Sequence, residues 1–261
     1  MTMRILDMIW LHLPLLQDYV DLGYQTHPGG NGTGDTGIIW IIFIAGMALS
    51  MWASNAVQRR FKQYEKIPMN YGMNGREVAE QMLKDNDISD VQIKMVKGIL
   101  TDHYNPVDKT LSLSPEVYNG TSVAAAAVAA HECGHAVQHA TAYRWLTLRS
   151  QMVPAVNIAS RWISWVLLAG ILLVNVFPGL LLAGIALFAV TTLFSLVTLP
   201  VELNASKRAL VWIDTHNITS RETHPYAEKA LRAAAMTYVA AAITSLATLF
   251  YYLGIYLRNR H

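Results

Sequence analysis

From Leu180 to Leu199 the chain runs for twenty residues without a single charge. A helix in water needs a polar face, so a run of this kind excludes an ordinary surface helix. At about 1.5 Å per residue it reaches about 30 Å, the thickness of a bilayer's hydrocarbon core. Three further segments have the same character: Ile38 to Ser54, Trp162 to Phe177, and Met236 to Leu257. The second is short for a span and is expected to extend back past Arg161. Asn175-Val176-Phe177-Pro178-Gly179 reads as a tight turn that makes a hairpin of the second and third. Hydrophobic residues form 53% of the chain and charged residues only 15%, a balance foreign to soluble domains. The expected fold class is mainly α, a polytopic membrane protein with about four transmembrane helices.

The basic residues set the orientation. Of the 20 Lys and Arg, nine lie between Arg59 and Lys109, three between Arg144 and Arg161, and five between Lys207 and Arg232. Only Arg4, Arg258 and Arg260 fall on the other side of the spans. Basic loops are retained in the cytoplasm, so the N-terminus is expected outside. The division that follows is an N-terminal extension over 1–36, a first span over 37–54 and a cytoplasmic region over 55–160. A transmembrane hairpin over 161–199, a cytoplasmic segment over 200–235, and a last span with its tail over 236–261 complete it. The two C-terminal arginines oppose this scheme but follow the last span and weigh little.

Within 1–36, Ile5 to Leu16 is apolar but interrupted by Asp7, His12 and Pro14, and it lacks the basic start and cleavage site of a secretory signal. An interfacial helix followed by the linker Pro28 to Gly34 is expected. The single cysteine, Cys133, excludes an intramolecular disulfide and reads as a small packing residue.

The 55–160 region reads as a small α+β unit. Asn74-Gly75-Arg76-Glu77 opens an amphipathic helix with Val78, Met82 and Leu83 on one side. Val91 to Met95 and Thr110 to Ser114 alternate as strands do, and Leu100 to Pro106 between them reads as a turn-rich loop. Ser114-Pro115-Glu116 starts a short helical turn, with Ser as N-cap and Pro in the first position.

An alanine-rich stretch from Val123 then carries His131-Glu132-Cys133-Gly134-His135. Residues four apart share a helix face, so the two imidazoles can reach one ion. Glu132 projects beside that ion, where it can take a proton from a metal-bound water. This is the pattern of a zinc peptidase with one Zn2+ per chain. A catalytic zinc takes three protein ligands and a water. His139 continues the series, but eight residues of helix separate it from His131 by about 12 Å. Glu202 is the better candidate: two spans intervene between it and His135, and two crossings return the chain to the same membrane face.

Longer stretches carry a resemblance. Gly98 to Tyr104, Ser112 to Tyr118, Val128 to His135, Thr198 to Ser206 and Ala233 to Ala241 resemble the YugP family of membrane zinc metallopeptidases, and the likeness covers about residues 38–257. It implies His131, His135 and Glu202 as zinc ligands and Glu132 as the catalytic residue. A more distant likeness is to the gluzincin membrane proteases, such as HtpX and the CAAX prenyl protease, which implies a zincin-like catalytic unit. Those proteases place an acid four residues after the third ligand to orient a histidine. Here that position is Ser206, which can still accept from an imidazole N–H. Thr223-His224-Pro225 resembles their His-Pro segment, implying His224 as an oxyanion stabiliser. Tyr238, His103 and Tyr104 are further candidates for that role, and sequence does not rank them.

The expected activity is hydrolysis of peptide bonds in membrane-proximal proteins, at the cytoplasmic face of the cell membrane. The strand Thr110 to Ser114 is expected to bind extended substrate along its edge. The partners implied are the lipid bilayer and a peptide or membrane-protein substrate, with no nucleic acid. The competing class is a catalytically idle, metal-stabilised membrane scaffold. A transporter fits less well, since the spans carry almost no charge.

Overall fold

A computed structural model describes residues 33–259. The interfacial helix expected within 1–36 lies outside the described residues. In chain order the elements are α1 (Thr33–Tyr64), α2 (Gly75–Asp85), β1 (Gln92–Met95), β2 (His103–Asn105) and β3 (Thr110–Leu113). They continue with α3 (Pro115–Tyr118), α4 (Val123–Ala140), α5 (Arg144–Leu172), α6 (Pro178–Thr215) and α7 (His224–Arg258).

Among the described residues four helices are long and apolar enough to cross a membrane: α5, α6, α7, and α1 from Trp40. The fold is mainly helical with one small sheet, as composition demands. α5 begins at Arg144, so the second apolar segment does reach back past Arg161. α6 has 38 residues, about 57 Å of helix, roughly twice a hydrocarbon core. It carries Glu202 and Ser206 beyond its uncharged run. Pro200, inside it, supplies no N–H to the carbonyl one turn back.

The described residues divide into two compact units. One holds 33–51, Arg149–Val197 and 238–259. Its core gathers Ile163 and Leu167 from α5, Leu181, Ile185 and Phe188 from α6, and Ile255 from α7. The hairpin of α5 and α6 closes on glycine: a Cβ on Gly170 would stand 2.6 Å from the Leu181 Cα. The Thr192 and Ser245 hydroxyls, 2.8 Å apart, join α6 to α7. Such small and hydroxyl-bearing contacts hold helices together where lipid removes the hydrophobic drive.

The other unit holds Trp52–Leu148 and Thr198–Thr237. α2 opens with a capping box, in which Asn74 accepts from the Glu77 N–H and Glu77 accepts from the Asn74 N–H. Its buried face, Val78, Ala79 and Met82, packs in one core with the alanines of α4. The Cys133 thiol donates to the Ala79 carbonyl at 3.6 Å, and burial pushes that thiol's pKa up. Cys133 is thus a packing residue between α2 and α4.

The sheet runs in the order β1-β3-β2. β1 pairs in parallel with β3 from Gln92 opposite Thr110, and β2 pairs antiparallel with it from His103 opposite Ser112. Two expectations are corrected here. His103–Asn105 is a strand and not loop. The strand at Thr110 is central, flanked on both sides and buried throughout, so it has no edge to offer a substrate. The open edges belong to β1 and β2.

Candidate metal centre

α4 starts at Ser122, whose hydroxyl accepts from the Ala125 N–H at 3.2 Å. Its alanine run lets neighbours approach closely, and Gly134 extends this to α6. A Cβ at Gly134 would lie 2.7 Å from the Ala205 carbonyl oxygen and 3.1 Å from its Cα. Only glycine allows that approach, and it sets the residues flanking Ala205 against the histidines.

At this crossing His131, His135 and Glu202 converge, with ligand atoms all within 4.8 Å of one another. One oxygen of Glu202 lies 3.3 Å from His131 Nε2 and 3.5 Å from His135 Nε2. The two rings stand nearly perpendicular, their centroids 4.9 Å apart. Glu202 is 3% exposed and His135 8%.

The donor set fits zinc. Ligands about 2.0–2.1 Å from a tetrahedral ion lie about 3.3–3.4 Å from one another, close to the two imidazole–carboxylate separations. Two imidazoles and one carboxylate also form the three-ligand set of catalytic zinc sites, which keep a fourth position for water. A buried carboxylate facing two ring nitrogens gathers three lone-pair donors on one point, and a cation satisfies all three.

The outer nitrogens of both rings are engaged. His131 Nδ1 lies 3.1 Å from the Ser206 hydroxyl, and His135 Nδ1 lies 3.1 Å from Oε1 of Gln138. The Gln138 amide is fully buried and donates to the Val201 carbonyl at 2.8 Å and to Asn204 Oδ1 at 3.0 Å. Neither Gln138 nor Asn204 was singled out from sequence. The available signal was spacing: Gln138 follows His135 by three residues on one helix, and Asn204 follows Glu202 by two.

Glu132 is half-buried. Loss of hydration, aided by the carboxylates of Asp102 and Glu202 and opposed by His131 and the Tyr104 backbone amide, pushes its pKa up to about 7. Asp102, absent from the sequence-based candidates, is itself shifted upward by burial against the stabilising bonds from Ser114. Its carboxylate accepts from the Ser114 N–H at 2.7 Å and from the Ser114 hydroxyl. Ser114 does begin α3, but its hydroxyl serves Asp102 and makes no cap bond.

Among the described residues, none of His139, His224 and His103 joins the metal-binding group. His139 is exposed and its Nδ1 meets the Tyr104 hydroxyl at 2.9 Å, outside the metal-binding group. His224 Nδ1 faces the Thr219 hydroxyl at 3.3 Å at the start of α7. His103 donates through Nδ1 to the Thr101 carbonyl at 2.8 Å. Tyr238 belongs to the other compact unit.

Comparison with known proteins bears on the same residues. The family model described as "Putative neutral zinc metallopeptidase" matches residues 39–257. The chain is 42% identical over 217 residues to "Putative membrane protease YugP" of Bacillus subtilis (strain 168), covering 83% of this chain and 96% of that protein. No solved structure matches it. A match spanning the apolar helices, the HExxH helix and Glu202 alike means that the chain belongs to this zinc metallopeptidase family.

Proposed function

We propose that this protein is a membrane-embedded, zinc-dependent endopeptidase. The observation that carries the reading is the meeting of His131, His135 and Glu202 at one point, with the half-buried Glu132 beside it. His131, His135 and Glu202 would hold one zinc ion. When bound, the ion would polarise a scissile carbonyl and acidify a water.

The chain's own groups supply the rest. Glu132 accepts the proton of the attacking water and delivers it to the leaving amine. Ser206 and Gln138 hold the two imidazoles from behind. Substrate enters in extended form along the free edge of β2, whose Tyr104 amide already acts on Glu132. His224 and Tyr238 stay as proposed oxyanion donors, each tested by removing its ring or hydroxyl and reading kcat against KM.

The division of the chain given above, with 55–160 and 200–235 in the cytoplasm, belongs to this proposal. It rests on the basic residues and on the place of Glu202, three residues past the uncharged run of α6. Substrates are accordingly membrane-tethered or membrane-proximal. Cysteines introduced at Lys109 and Arg221 are expected to react with an impermeant thiol reagent only after cells are opened.

The test of the activity is peptide or casein hydrolysis by purified full-length protein beside its Glu132→Gln variant, with zinc measured in both. Glu132→Gln should keep the metal and lose about 10²–10⁴-fold in rate. Equal hydrolysis by the two would reject the enzyme; zinc lost with Glu132→Gln as with His131→Ala would mean its role is misassigned.

A further inference from the structure

We infer that Gln138 is the positioning residue of the centre, fixing which nitrogen of His135 faces Glu202 while tying the His135 helix to the turn that carries Glu202. The inference rests on the metal site proposed above and extends it to a side chain that contacts no ligand-binding atom.

The assignment follows from donor and acceptor identity alone. A backbone carbonyl accepts and never donates, so the Gln138 atom 2.8 Å from the Val201 oxygen is the amide nitrogen. That nitrogen's second hydrogen is directed to Asn204 Oδ1 at 3.0 Å. The identity of Oδ1 as oxygen is set independently, because the Arg208 guanidinium, which has only donors, approaches it at 2.9 Å. The other end of the Gln138 amide is therefore oxygen, and it lies 3.1 Å from His135 Nδ1. An oxygen there accepts, so Nδ1 carries a proton in every state of the ring. Nε2 is left as the nitrogen facing Glu202, 3.5 Å from its carboxylate.

His131 is held differently. Its Nδ1 faces Ser206, and a hydroxyl donates or accepts equally well. Ser206 therefore places the His131 ring without choosing its tautomer. Gln138 places and chooses, and it does so from complete burial, where a turned amide would leave the Val201 oxygen and His135 facing the wrong partners. Val201 immediately precedes Glu202, so one amide bonds directly to the ring of one ligand and to the chain neighbour of another.

Two measurements on the full-length protein test this. The first is the ring 15N spectrum of histidine-labelled, metal-free protein, with His135 assigned by its loss in His135→Asn. Protonated Nδ1 at His135 is expected; a neutral ring protonated only at Nε2 overturns the inference. This readout needs neither zinc nor activity. The second is zinc affinity by chelator competition for wild type, Gln138→Met, Ser206→Ala and His135→Ala. Gln138→Met should weaken binding about 10–100-fold, as changes behind a ligand do, and by more than Ser206→Ala. A folded Gln138→Met with wild-type affinity overturns the inference and leaves the metal site standing. Wild-type affinity retained in His135→Ala overturns the metal site, and with it the role of Gln138 there, whatever the spectrum shows.

Discussion

The two compact units use one packing device for different ends. In the unit of α5, α6 and α7 segments, Gly170 brings backbone against backbone, and what meets there is aliphatic: Leu167, Leu181 and Ile185. In the unit of the sheet and α4, Gly134 brings α4 equally close to Ala205, but the flanking side chains are two imidazoles and a carboxylate. The hydroxyls tell the same story. The hydroxyl oxygens of Ser50, Ser160 and Thr244 are buried in the first unit without a hydrogen-bond partner among the described residues, whereas Gln138, buried in the second, uses its oxygen and both hydrogens. Close helix approach is thus general to the molecule, and what converts it into a site is the set of residues within a turn of the glycine.

The sharpest way to break this contrast is to remove a ligand. Glu202→Ala leaves two imidazoles, and zinc affinity should fall by orders of magnitude in a chelator competition. His139→Ala, whose ring serves Tyr104, should keep both metal and activity. Zinc surviving the first change and lost with the second would move the third ligand to His139.

Glycine substitutions come next. Gly134→Ala puts a Cβ 2.7 Å from the Ala205 oxygen, an overpacking of about 1–3 kcal/mol. Relief by widening the crossing would weaken zinc about tenfold or more, at 1.4 kcal/mol per tenfold. Gly170→Ala carries a similar clash, at 2.6 Å from the Leu181 Cα. It should lower the melting temperature while zinc affinity stays unchanged. Equal loss of metal in both would show that the units do not differ in this way.

The smallest effect is a pH dependence of stability. In metal-free protein Glu132 has a pKa raised to about 7 in the fold against an ordinary carboxyl value of 4.5. A raised carboxyl favours the folded state when protonated, so its contribution is complete below about 4.5 and is lost as pH rises through 7. Metal-free protein should therefore melt several degrees lower on the alkaline side of that window. Glu132→Gln should remove this component of the slope, as melting curves at several pH values would show.

What sequence could reveal follows the range of the signal. The apolar helices were legible because hydropathy and length are local, and so was the HExxH helix, written in five residues and an alanine run. β2 was not: three residues followed by Pro106 cannot display alternation. The central place of β3 depends on β1 pairing in parallel across a connection of several residues, which no local pattern reports. Gln138 showed only as a glutamine one turn beyond His135, since its partners Val201 and Asn204 lie more than sixty residues away. His139 sat in the right series on the helix, yet Tyr104 from the misread loop is what it meets.

The central claim is that α4 and α6 close on one metal through two imidazoles and one carboxylate. X-ray absorption at the zinc edge of the purified, zinc-loaded protein tests it most directly. The account predicts one zinc per chain with imidazole scattering from two rings and oxygen neighbours, all at about 2.0–2.2 Å. A sulfur shell near 2.3 Å, which would bring in Cys133, or scattering from a third imidazole would contradict it.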